Sequence, residues 1–529
     1  MRCSKTKDGP GATALTLSEN SPVRPVLLVL VTAVALLWPA FVNGGPFWFP
    51  DTSTYIRGAD AGTVFLFDSP SEWSDRLTIA DTGDEARSSS AGSAATSSDL
   101  SSDIKPTRPV LSGRSVYYGL LIYAPMRLFG PWGAIFLQSL IVAGSIVLCL
   151  HIVTRKSEYR IRRWLIALTL AVLTLFTPLP YYTSMLMPDV YSGVLILTLA
   201  SLMVFWERLT TGERFALLIA STGIATFHTT HLLLVFVIVG IATLIFLPNR
   251  TSLRPLLIGV PVVVSSIAAG VLFSSLVSAV LKTEPMSPPF LSARLTAAGP
   301  GTEFLRERCT VEADAWELCN HQDKFSEHSD AFLWSEDPTE GVFQTASRLE
   351  QKQLAQQDKR FFLAVLADRP LALINVSVTS AARQLISFGM SNFNYSHRRG
   401  SEINGQYPPA IANFINTSRA ARGTMPTTLI VLSTAIVSLL SLITILLLLV
   451  RLISRQRKVT QTVEFVTILL VGVIANAAIC GALSGPHDRY QMRLIWLLVV
   501  AVGAFFAGNS AVRKKFVNKK TSALSEETV

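Results

Sequence analysis

The sequence predicts an all-α polytopic membrane protein with about ten transmembrane helices and two long extracytoplasmic loops. Three observations carry that expectation. Half of the 529 residues are hydrophobic and only 16% are charged, where a soluble chain would carry about 25%. Windows of 18 or more residues almost free of charge recur along the chain, each long enough to cross a hydrocarbon core. The charges are also sorted, basic between some windows and acidic between others, as the positive-inside rule requires. The net charge of +10 follows from this sorting and does not point to nucleic acid.

In order, the expected spans are 26–43, 132–153, 164–183, 189–206, 215–228, 231–247, 255–281, 426–452, 463–483 and 490–510. The first ends in LLWPAFVNGG without a small-x-small cleavage site, so it reads as a retained span rather than a signal peptide. The connectors TRKSEYRIRR, RLISRQRK and VRKKFVNKK are basic, whereas residues 44–112 hold ten acids against five bases. That places both termini in the cytoplasm and the loops 44–131 and 282–425 outside. The least certain boundary lies in 215–247, where FHTTH divides an apolar stretch of 33 residues. One long helix there would shift the parity against the charge bias, so two are expected.

Between the spans the composition changes. Residues 1–24 form a polar, disordered tail, and 511–529 a basic cytoplasmic one. In the first outer loop, 81–104 is a Ser/Ala/Gly-rich insert expected to be disordered. GRSVYYGLLIYAPMRLFG (113–130) is amphipathic and suits the membrane interface before the second span. The module 25–281 thus precedes an outer subdomain, 282–425, and the C-terminal helices 426–510. Within the subdomain, 360–388 reads as one or two helices broken before Pro370.

Of five cysteines, Cys149 and Cys480 lie in spans as packing residues. Cys309 and Cys319, ten apart in an outer loop, are expected to form a disulfide in an oxidising compartment. The competing arrangement, a two-cysteine metal site with His321, lacks a convincing fourth ligand. The P-loop, H-E-x-x-H and G-x-S-x-G patterns are absent, which removes the commonest soluble-enzyme chemistries.

Four groups on the outer side could carry chemistry. Asp51, in FPDTSTY with Tyr55, is a carboxylate near hydrocarbon and aromatic rings, a setting that suits a general base; the alternative is a helix cap by Asp or Thr. Asp189 in MPDVYSG is a second acid at the outer start of a span, able to orient a hydroxyl or hold a divalent cation, or simply to favour a helix N-terminus. His228 and His231 in FHTTH are candidate substrate contacts, with capping or packing as the plainer reading. HDRYQMR gathers His487, Asp488, Arg489, Tyr490 and Arg493. Arginine suits phosphate because its planar fork binds bidentately and stays charged. Ionisable clusters at a membrane edge are costly unless paired. A snorkelling interface anchor would account for Arg493 alone. A carboxylate base and a cationic cluster on one face suit transfer of a sugar from a lipid phosphate, which needs no nucleotide site.

The order of these parts resembles the GT-C superfamily of integral membrane glycosyltransferases. An acidic motif opens the first outer loop (FPDTSTY), amphipathic segments follow, and a second acidic motif precedes the fourth span (MPD). A polar break comes later (FHTTH), and an Arg-Tyr near the outer end of a late span closes the set (HDRYQ). The resemblance implies that Asp51 is the catalytic base and that Arg489, with Tyr490 and His487, binds the lipid phosphate. Asp189, Tyr55, His228, His231 and Asp488 are secondary contacts. It implies a polyprenyl-phosphate-linked sugar as donor, an envelope glycan or lipid as acceptor, and inversion at the anomeric carbon. The implied place is a bacterial inner membrane, with the site on the extracytoplasmic side. The only cofactor in view is a divalent cation, which some relatives use and others do not. Many relatives carry two adjacent acids in the first loop, whereas here Thr52 follows Asp51. Three alternatives stand beside this reading. A polysaccharide polymerase or ligase would use loop arginines such as Arg294 and Arg306; a transporter of a lipid-linked solute and a non-enzymatic scaffold are the others.

Overall fold

The computed structural model describes residues 23–67, 71–73, 115–246, 253–281, 285–311, 315–396, 403, 405–454 and 460–507. The tail 1–22, the insert 81–104 and the tail 511–529 lie outside the described residues. Those that are described form helices and irregular connections; a single isolated bridge, Phe47 with Met185, is their one β feature.

Among the described residues eight helices are long and apolar enough to cross a membrane: Pro25–Asn43, Val116–Thr154, Asp189–Arg208, Thr229–Phe246, Arg254–Ala279, Thr427–Arg451, Gln461–Leu483 and Asp488–Ala507. The chain is a polytopic membrane protein. Each of the ten expected spans overlaps a described helix, but two of those helices do not reach the length and composition of a span by themselves. Tyr159–Phe176 packs Arg160, Arg162 and Arg163 into 18 residues, and Thr211–Thr226 has only 16. The expected polar break is present. Thr211–Thr226 stops at Phe227, and Thr229–Phe246 begins two residues later.

The second span is longer than its apolar core because the helix starts at Val116 and runs 39 residues. Gly130 breaks it with φ +67°, a conformation open to glycine and costly for other residues, and Pro131 follows. The amphipathic stretch is therefore a helix bent away from the span behind it.

In the outer loop, Arg348–Asp368 and Pro370–Leu385 meet at 107°. Arg369, kept out of the helical region by the proline that follows it (φ −132°, ψ 52°), is the corner. The second arm packs along Gln461–Leu483. A Cβ on Gly481 would lie 2.7 Å from the Ser380 carbonyl oxygen, so the close crossing depends on glycine. Arg294 closes the C-terminus of that helix, donating to the carbonyls of Ala482 (3.1 Å) and Gly481 (3.2 Å) and to Ser380 Oγ (2.7 Å). Four late carbonyls of any helix lack internal donors, and here a guanidinium serves two of them.

Two buried cores result. One runs through the whole bundle and takes in Met390, Phe393, Tyr395, Tyr407 and Ile415 from the later part of the outer loop. The other belongs to residues 293–365, around Leu305, Trp316, Phe332 and Phe361. Within the expected 282–425, residues 293–365 thus hold a cluster of their own, and residues drawn from 390–425 pack into the bundle core. Cys309 and Cys319 form a disulfide with Cα atoms 5.6 Å apart, which removes both thiols from any metal site.

One end of the bundle is basic and tied by polar pairs: Arg155 with Glu213, Arg254 with Glu207 at 2.5 Å, and Ser157 Oγ with the Ala507 carbonyl at 3.0 Å. The acidic motifs and the Arg-Tyr segment sit together at the other end.

Candidate active site

The site is assembled by sewing the first acidic motif to the second. Phe47 donates to the Ser184 carbonyl (2.9 Å), and Leu186 donates back to Phe47 (3.0 Å). Thr52 Oγ1 donates to the Leu186 carbonyl at 2.9 Å and accepts from Phe49 N–H at 3.0 Å. The later outer loop holds the same strand. Tyr395 OH accepts from Trp48 N–H at 2.8 Å, and Tyr407 OH donates to the Phe49 carbonyl at 2.6 Å. The aromatic segment before Asp51 is therefore buried and fixed from both sides.

Pro50 starts the helix Pro50–Phe67, and Asp51 falls in its first turn, half-buried. Thr52 and Ser53 both bond back across the helix entry: Thr52 Oγ1 accepts from Phe49 N–H and Ser53 Oγ donates to the Pro50 carbonyl at 3.1 Å, so the two hydroxyls share in fixing it.

Arg489 stands beside Asp51. Its guanidinium stacks 4.5 Å over the Phe49 ring and 4.8 Å over the Tyr490 ring. Nη2 donates to Tyr490 OH at 3.1 Å. Nη1 is buried without a hydrogen-bond partner. Asp189 and Asp51 both lie within electrostatic range of this cation. Tyr490 OH also bonds Ser484 Oγ at 2.9 Å.

Arg493 is not a snorkelling anchor. Only 3% of it is exposed, because its helix lies inside the bundle, and it pairs with Asp189 at 2.9 Å. Its Nη2 donates to Asn476 Oδ1 at 2.9 Å, and Asn476 Nδ2 donates to the Tyr490 carbonyl at 2.9 Å. Asp189 is thus a counter-ion to Arg493, the partner that keeps a buried guanidinium affordable. Arg493 meets a carboxylate at contact distance and leaves only its Nε without a partner, whereas the half-buried Arg489 leaves Nη1 without one among the described residues.

The remaining candidates are held by the protein itself. His487 exchanges backbone hydrogen bonds with the Gln384 amide, both at 2.8 Å, and sets its ring edge-on to Tyr490. Burial, followed by the charge of Arg489, holds its pKa below the usual imidazole value. Asp488 accepts from Ser391 N–H (3.0 Å) and Oγ (2.9 Å), tying the loop to the last helix. Tyr55 is buried, edge-on to Tyr118. His228 caps the next helix by accepting from Thr230 N–H at 3.2 Å. His231 is buried between the Ile224 carbonyl (2.8 Å) and Ser192 Oγ (2.9 Å). A carbonyl only accepts, so Nδ1 carries the proton and Nε2 accepts from the serine. Asp51, Arg489, Tyr490, His487, Asp488 and Asp189 come together; His228 and His231 belong to the packing behind Asp189.

Two residues escaped the sequence reading. Asn476, in the apolar run IANAAIC, was visible as a polar residue inside a span. Asp60, nine residues after Asp51, is fully buried and accepts from Ser71 Oγ at 2.5 Å and from Tyr123 OH; its spacing carried no signal.

No family model and no curated protein matches the chain. Two solved structures are similar. The crystal structure of ArnT from Cupriavidus metallidurans in the apo state is 15% identical, covering 90% of this chain and 76% of that one, with a TM-score of 0.29. ArnT bound to undecaprenyl phosphate is 14% identical, covering 90% and 77%, with the same TM-score of 0.29. A likeness at this TM-score carries no further argument, and the roles below rest on the residues themselves.

Proposed function

We propose that the protein is a membrane glycosyltransferase. It moves a sugar from a polyprenyl-phosphate donor to an envelope glycan or lipid acceptor on the extracytoplasmic face. The observation that carries this reading is Arg489: it stacks on Phe49 and Tyr490 and presents an unpartnered Nη1 within electrostatic range of Asp51, whereas Arg493 meets the Asp189 carboxylate at contact distance. A phosphate oxygen supplies the acceptor that Nη1 lacks and the negative charge that Arg489 can balance.

In the proposed step Asp51 takes the proton of the acceptor hydroxyl. The acceptor oxygen bonds to the anomeric carbon as the carbon–oxygen bond to the phosphate breaks. The electron pair leaves with the lipid phosphate, whose charge Arg489 stabilises on its Phe49–Tyr490 platform. Attack opposite the leaving group inverts the anomeric carbon. The polymerase alternative loses support because Arg294 is spent on helix carbonyls.

Binding of undecaprenyl phosphate to the purified chain in detergent, followed by native mass spectrometry, tests this. Arg489→Gln is expected to weaken binding by roughly 10- to 100-fold, the equivalent of about 1.4–2.7 kcal/mol. Equal binding by wild type and variant would overturn the assignment.

A further inference from the structure

The outer subdomain holds a group of side chains that the proposed transfer does not use. Glu317 and His321 are four residues apart on the short helix Glu317–Lys324, and Glu350 lies in the first turn of Arg348–Asp368. One ligand atom from each falls within 4.8 Å of the other two. His321 is 6% exposed, and its Nε2 is buried with no hydrogen-bond partner. Glu317 Oε1 stands 4.0 Å from that nitrogen, beyond hydrogen-bond reach. A metal with bonds of about 2.0–2.2 Å bridges donors set roughly 3–4 Å apart.

The surroundings hold the donors ready. Asn320 Nδ2 donates to Glu317 Oε1 at 3.1 Å. Glu350 Oε2 accepts from Ser347 N–H at 2.7 Å in a capping box, which leaves Oε1 outside that bond. Cys319 lies between Glu317 and His321, so the disulfide to Cys309 pins the same turn. The charged groups facing His321 are Lys324, Glu350, Glu317 and Asp323.

We propose that Glu317, His321 and Glu350 bind one transition-metal cation of the zinc class. It would join the disulfide-pinned turn to the start of the Arg348–Asp368 helix as a second staple for this small core. One imidazole with two carboxylates favours such a cation over magnesium or calcium, and small cores commonly rely on staples.

The test uses the full chain in detergent, purified without a polyhistidine tag, stripped with chelator, loaded with zinc chloride and desalted. Elemental mass spectrometry is expected to find about one zinc per wild-type chain, and at least about tenfold less in His321→Gln and Glu317→Gln. Zinc should slow proteolysis of residues 293–365 in wild type alone. If His321→Gln does not run as a folded species on gel filtration, Glu317→Gln decides, since its side chain is partly exposed. Wild type that retains no zinc, zinc that excess magnesium displaces, or variants that bind zinc like wild type would each overturn the proposal.

Discussion

Asp189→Asn removes one half of a buried ion pair and leaves the shape nearly unchanged. Arg493 then keeps Asn476 Oδ1 at 2.9 Å and Cys480 Sγ at 3.4 Å, neither of which carries a full charge. Asp189 is 4% exposed and Arg493 3%, so water does not replace the lost carboxylate. Two unit charges about 4 Å apart at an effective dielectric near 20 interact by about 4 kcal/mol. Breaking one side of a buried pair costs about 3–5 kcal/mol by mutation. A loss in that range is therefore expected for Asp189→Asn, read as the shift in the SDS-denaturation midpoint and slope followed by tryptophan fluorescence. Arg493→Gln should cost a similar amount. The double variant removes both charges and should be less damaging than the sum of the singles by at least about 2 kcal/mol. An Asp189→Asn protein within about 1 kcal/mol of wild type, or strict additivity in the double variant, would refute the counter-ion role.

Three further outcomes follow from the geometry. Cys309→Ser with Cys319→Ser opens a loop of ten residues, which should lower the stability of the outer unit by about 2.5–3 kcal/mol in the chain-entropy picture, read by pulse proteolysis. A Cβ on Gly119 would lie 2.2 Å from the Tyr55 carbonyl oxygen. Gly119→Ala should therefore push back the helix that begins with Asp51, costing about 1–3 kcal/mol and lowering transfer activity as well. His487 has a depressed pKa, so on acidification the unfolded chain takes up its proton first and stability falls as pH drops below about 6.5. His487→Gln should reduce the loss of stability between about pH 7.5 and about pH 5.5; an unchanged loss would contradict this.

Much of the fold was legible because its signals are local. The helix break at FHTTH, the corner before Pro370 and the disulfide across ten residues each follow from neighbouring residues. The two helices that fall short as spans do so at their ends: Tyr159–Phe176 begins inside the basic connector expected before residue 164, and Thr211–Thr226 stops at the FHTTH break after 16 residues. The site was legible in its parts and not in its connections. Asp51 and Arg489 stand out as charged residues at the ends of apolar runs. The pairing of Asp189 with Arg493 joins positions 304 residues apart, and no spacing rule reaches across that distance. Arg493 therefore looked like an interface anchor, since only the packing of its helix inside the bundle shows that it cannot reach the interface. Thr52 was equally opaque, because its bond to Leu186 depends on the bridge that brings the two acidic motifs together.

The central claim is that Asp51 acts as the base in a sugar transfer. Mass spectrometry of envelope glycans and glycolipids tests it most directly, in a strain lacking the gene and complemented with either wild type or Asp51→Asn at matched membrane abundance. The account predicts a sugar-sized mass difference in the null strain that wild type restores and Asp51→Asn does not. Full restoration by Asp51→Asn would contradict it.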